Sequence, residues 1–179
     1  MFDTKNLHQK IKKALNEQKN EKDSSTWSKK VWTSKVKSFV SKLAPKEGHQ
    51  VYASSSKNVR GGEWLFDLIW VKGNYEENRI ERVILAMESE WDRSKGSIDY
   101  DFQKLMVVRA DLRVMLFNTK KKEKWEEIIS SLKEQVKKFS QSQDGDRYLF
   151  GGWIDEKEAF EFEEYTYSVP QGRVRNQTP

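Results

Sequence analysis

The stretch EWLFDLIWVKGNYEENRIERVILAMESEW, residues 63–91, contains two apolar runs joined by a polar loop. EWLFDLIWVK (63–72) and RVILAMESEW (82–91) are rich in the Val, Ile, Leu and Trp that suit a pleated, half-buried surface, so both read as strands. Period-two alternation sets Trp64, Phe66, Leu68 and Trp70 on one face, and Leu65, Asp67, Ile69 and Val71 on the other. In the second run Ile84, Ala86, Glu88 and Glu90 share a face. Folding the pair as a hairpin about the loop centre, between Glu77 and Asn78, brings Asp67 opposite Glu88. Taken alone, Asp67 reads more simply as an edge-strand acid that faces water or pairs with a lysine. Two acids facing each other change that reading. Directly opposed side chains have Cβ atoms about 5 Å apart. Carboxylates that close repel unless one takes a proton or a cation lies between them. A divalent ion, with oxygen ligands at about 2.1–2.4 Å, suits the gap.

Outward from this hairpin the period changes to that of helices. DYDFQKLMVVRADL (99–112) has Phe102, Leu105, Met106 and Leu112 as its stripe, and the short apolar strand RVMLFN (113–118) follows at once. KWEEIISSLKEQVKKF (124–139) repeats apolar residues at helical spacing, and RYLFGGWI and AFEFEEYTY are two more strands. Gly151-Gly152 within the first of these predicts a bulge or tight bend. Upstream, residues 4–18 form an amphipathic helix on Leu7, Ile11, Ala14 and Leu15. A second helix follows, capped from Asp23-Ser24-Ser25-Thr26, with Trp27, Val31, Val36, Phe39, Val40 and Leu43 as apolar positions. HQVYASS (49–55) is a strand. The order α-α-β-β-β-α-β-α-β-β predicts an α/β fold, a mixed sheet with helices packed against it. The 179 residues read as one domain: a basic helix (1–26), a core (27–118), a C-terminal helix with strands (119–167) and a frayed tail (168–179).

Composition narrows the chemistry. There is no cysteine, which removes disulfides, thiolate zinc sites and cysteine nucleophiles. His8 and His49 stand far apart, so a metal would be held by oxygen, which suits Mg²⁺, Ca²⁺ or Mn²⁺. The first 46 residues carry 12 Lys and 4 acids, a net of +8, and the remainder carries −3. That front segment is either a phosphate-binding surface or a solvated lysine face. Trp27 and Trp32 within it read as core, with stacking on bases as the competing role. The charged N-terminus is unlike a secretory signal, no run is long enough to span a membrane, and a cytoplasmic location is expected.

Strand-Asp67, a loop, strand-Glu88-Ser89-Glu90 and then the helix with DFQKL resemble the PD-(D/E)xK nuclease superfamily, the group of restriction endonucleases and many repair nucleases. The resemblance covers residues 27–118 and implies its α-β-β-β-α-β core, the restriction-endonuclease-like arrangement. It departs at two positions: Phe66 stands where the family usually has Pro, and Glu90 where it has lysine. Lys104 in DFQKL implies a lysine moved to the helix, the competing role being a solvated partner of Asp101. The resemblance implies Asp67, Glu88 and Glu90 as ligands of Mg²⁺ or Mn²⁺, with Glu90 alternatively orienting the attacking water, and Lys104 stabilising charge on the phosphate. Glu63 is an outer candidate for a second metal. The implied activity is hydrolysis of DNA phosphodiesters, with a homodimer favoured for double-strand cutting. Two other functions remain open: a nuclease-like domain that binds nucleic acid without cutting, and a protein-interaction domain.

Overall fold

A computed structural model describes residues 6–17, 27–45, 48–53, 65–74, 77 and 79–170 of the chain. Its elements are α1 (Leu7–Glu17), α2 (Lys29–Ser41), β1 (His49–Ala53), β2 (Leu68–Asn74), β3 (Arg79–Glu90), α3 (Lys95–Val107), β4 (Leu112–Thr119), α4 (Lys122–Lys138), β5 (Arg147–Ile154) and β6 (Ala159–Thr166). The strands form one six-stranded sheet in the order β1-β2-β3-β4-β5-β6. β3, β4 and β5 run parallel, and the flanking pairs are antiparallel. The fold is α/β with a mixed sheet flanked by helices, as the element order predicts.

Alternation along each strand divides the core into two layers. Leu68, Trp70, Leu85, Met87, Val114 and Leu116 pack against Leu7, Ile11 and Leu15 of α1 and Trp32, Val36 and Val40 of α2. Ile69, Val71, Ala86, Met115, Phe117 and Phe150 pack against Phe102 and Leu105 of α3 and Ile129, Leu132 and Val136 of α4. Central strands covered on both faces have no polar side to show, which is why VMLF (114–117) reads as an unbroken apolar run. Each such side chain taken fully from water contributes roughly 1.5–3 kcal/mol. Among the described residues no helix is long and apolar enough to cross a membrane.

Local chemistry sets the element ends. Ser28, rather than the 23–26 segment, caps α2 by accepting from Val31 N; residues 23–26 lie outside the described ones. Ser94 caps α3 in the same way through Ser97 N. That helix starts earlier and ends earlier than periodicity predicts, and Leu112 opens β4 instead. Gly151 and Gly152 lie in unbroken register with both neighbouring strands, so the expected bulge is absent. The two glycines serve close approach: a Cβ on Gly152 would overlap the Trp125 indole of α4.

Candidate active site

The register at the open end of the β2–β3 hairpin is the expected one, with Leu68 paired to Met87 and Ile69 to Ala86. One step further, Asp67 lies outside the ladder, since β2 begins at Leu68. Leu65 causes this departure. Its φ of 66° lies in the left-handed region and turns the chain, leaving Leu65 exposed and sending Phe66 into the α3–α4 layer. A non-glycine residue in that region is uncommon, and such strained positions cluster at functional sites.

Asp67 is held on both carboxylate oxygens. Its Oδ2 accepts from Ser89 N at 2.9 Å and from Ser89 Oγ at 2.6 Å. Its Oδ1 lies 2.9 Å from Nζ of Lys37, a lysine of α2 whose side chain is only 3% exposed. Nothing in the sequence reading assigned Lys37 a role. The signal was there: the buried residues of α2 are Trp32, Val36, Lys37 and Val40, and a lysine on that stripe is out of place.

Glu88 faces the other layer. Its side chain is 4% exposed, and Lys104 Nζ lies 2.6 Å from Oε1. This contact is an ion pair without the alignment of a directed hydrogen bond. Lys104 also meets Asp101 at 2.8 Å and stands over the Tyr100 ring. Burial pushes the Glu88 carboxyl from 4.5 up to about 7, Lys104 pulls it down, and Asp67 and Asp101 add to the rise. For Lys104, burial opposes the charge, but the paired Asp101 and Glu88 carboxylates outweigh it and hold the ammonium above its ordinary value. The two directions are compatible. Lys104 is partly exposed and has two acids, whereas Glu88 is enclosed and has one shared cation.

Asp67 and Glu88 therefore lie at the same end of the β2–β3 pair but face different layers, Asp67 toward Lys37 of α2 and Glu88 toward Lys104 of α3. The expectation that they share one face fails, because the turn at Leu65 sends Asp67 to the α2 side. Glu90 lies one pleat repeat further along β3, and its carboxylate accepts from Asp92 N at the strand end. Among the described residues no three acids or histidines converge closely enough to hold a metal ion. Glu63 lies outside the described residues. Two carboxylates fit Mg²⁺, which usually takes one or two from the protein and completes its shell with water and substrate phosphate. A carboxylate has about four lone-pair sites. On Asp67 both Ser89 bonds fall on Oδ2, leaving a site on Oδ1 beside Lys37. Comparison with known protein families, with curated proteins and with solved structures finds no match to this chain.

Proposed function

We propose that the chain is a divalent-metal-dependent nuclease that hydrolyses DNA phosphodiester bonds, in the manner of the PD-(D/E)xK superfamily. One observation supports this reading: two shielded carboxylates, Asp67 and Glu88, stand at one end of the β2–β3 pair, one on each side of the sheet, and burial raises the Glu88 pKa against the pull of Lys104. The α-β-β-β-α-β order from α2 to β4 supports it.

In this reading Asp67 and Glu88 hold Mg²⁺ or Mn²⁺. Bound there, the ion supplies Lewis acidity toward a phosphate oxygen and lowers the pKa of its water. The chain's own residues do the remainder. Ser89 and Lys37 fix the Asp67 carboxylate before any ion arrives, so no reorganisation is needed at binding. Lys104, the lysine on the helix, is partly exposed and turns from Glu88 toward a phosphate oxygen, stabilising the charge that builds on it. Glu90 orients the attacking water and takes its proton. A cytoplasmic location and a homodimer that cuts both strands belong to the same proposal.

The test is cleavage of plasmid DNA in Mg²⁺. Wild-type protein cuts, and Asp67→Ala and Glu88→Ala do not; cutting by either variant overturns the assignment. A second reading is favoured by the two lysines, which already pair with both acids: a nuclease-like domain that binds nucleic acid without cutting. It predicts no cleavage and no Mg²⁺-dependent rise in melting temperature.

A further inference from the structure

Two cavities adjoin at the C-terminal ends of the parallel strands β3, β4 and β5, the edge where open parallel sheets take their ligands. The first, about 460 Å³, is walled by Trp27, Trp32, Trp91 and Trp153, with Lys29, Asp155 and Glu158 at its margin. The second, about 530 Å³, is lined by Lys120, Lys121 and Lys124, with Glu123 and Glu127. Arg93 and Asn118 line both.

The aromatic walls are preorganised. Trp32 has ring centroids 4.8 Å from Trp27, 5.1 Å from Trp91 and 4.9 Å from Trp153. Three of these rings are buried, and Trp27, half-buried, is the accessible one. Arg93 is fixed by Asp155, and its guanidinium also lies against the Asn118 amide. On the lysine side, Lys120 and Lys121 are exposed and make no ion pair among the described residues, although their backbone is pinned by Glu156 N and Thr119 Oγ1. Glu158, on the rim, holds a left-handed φ of 47°. An accessible indole, Trp27, backed by three buried ones and joined through an arginine to two exposed ammonium groups matches one ligand chemistry, a base carrying a phosphate. A pocket of this volume is of the size that encloses a small ligand.

We propose that the paired cavities bind one nucleotide unstacked from a nucleic-acid strand, its base against the tryptophans and its phosphate at Lys120 and Lys121, with Arg93 between. This rests on the nuclease reading and names its substrate form. Trp91 follows Glu88 by three residues, about 10 Å along an extended chain, so the bound nucleotide is a near neighbour of the scissile phosphate. A base paired and stacked in a duplex cannot enter; a single-stranded, frayed or flipped one can.

The experiment is tryptophan fluorescence titrated with a thymidine oligonucleotide of about 10 nucleotides, within the usual site size, in EDTA so that neither metal nor cleavage contributes. The oligonucleotide quenches the emission of wild-type protein, and a duplex of equal length does so more weakly. Trp27→Ala lowers affinity about tenfold, as loss of one base stack predicts. Arg93→Gln, a surface change, lowers it several-fold and guards against a misfolded Trp27 variant. Thymidine monophosphate competes only at much higher concentration; equal competition assigns the pocket to a free nucleotide and overturns the strand assignment. Unchanged affinity in Trp27→Ala and Arg93→Gln, equal binding of duplex, or quenching only by a trimethyllysine peptide also overturns it. Quenching without any cleavage activity sinks the nuclease reading alone, and cleavage without quenching sinks this one alone.

Discussion

In the α2 layer the lysine is the enclosed member of its ion pair, and in the α3 layer the acid is. Lys37 is 3% exposed beside an Asp67 that is 15% exposed, whereas Glu88 is 4% exposed beside a Lys104 that is 37% exposed. The difference teaches which charges are permanent. Lys37 is nearly enclosed and fixes Asp67 from the α2 side. Lys104 can leave Glu88 for solvent or substrate, and Glu88 can then take a metal ion or a proton. One pair is a strut and the other an exchangeable contact.

Asp67→Ala is the severest way to break this comparison. It leaves an enclosed ammonium with its chief counter-ion removed, and losses of about 3–5 kcal/mol are usual for that. Urea denaturation reads the loss, and a cost below about 1 kcal/mol would show that Lys37 is not a strut.

The pH dependence comes next. The folded Glu88 pKa, about 7, lies above the unfolded value near 4.5, so between these the folded state binds the extra proton. Stability from this group is therefore full below about pH 4.5 and falls as pH rises to about 7, by an amount on the order of 3 kcal/mol. Thermal melts across that window follow the fall, and Glu88→Gln removes it and melts higher than wild type at pH 8. A variant that keeps the slope would assign the titration to another group.

Metal sharpens the same contrast. Because Mg²⁺ must displace a proton from Glu88 in acid, it raises the melting temperature by several degrees at pH 8 and by less at pH 5.5. Glu88→Gln shows no rise at either pH, and a pH-independent rise would place the ion elsewhere.

The smallest effect belongs to Lys104→Ala. At pH 6 Glu88 is mostly protonated and the lysine half-exposed, so stability changes by less than about 1 kcal/mol, while cleavage is lost. The Glu88 slope moves to higher pH, and turnover equal to wild type removes Lys104 from the chemistry.

Much of the fold could be read from periodicity, because covered strands and amphipathic helices leave regular patterns. RYLFGGWI is β5 over 147–154 as read, and the stripe of α4 is buried from Trp125 to Val136, with Phe139 half-buried as the cap beyond it. The hairpin register near Asp67 matches the one read from the loop centre, but only because two bulges, between Trp70 and Val71 and between Lys72 and Gly73, shift a ladder that starts at Asn74–Arg79 by two residues. The backbone turn at Leu65 was not legible, because a leucine in a strand-like run gives no sign of a left-handed φ. Nor was Lys37 singled out: in a segment with twelve lysines, one placed inward resembles the outward ones until the helix phase is known. Gly151-Gly152 misled for a related reason, since glycine signals a bend or a close neighbour equally well and only the position of α4 decides.

That seat of Trp125 on Gly152 reaches beyond packing. It sets the height at which the first turn of α4 rides above β5, and with it the elevation of the lysine corner at 120–124 over Arg93. An alanine at 152 acts as a shim under the helix: the clearance between the lysine corner and Arg93 is gauged by one missing methyl group.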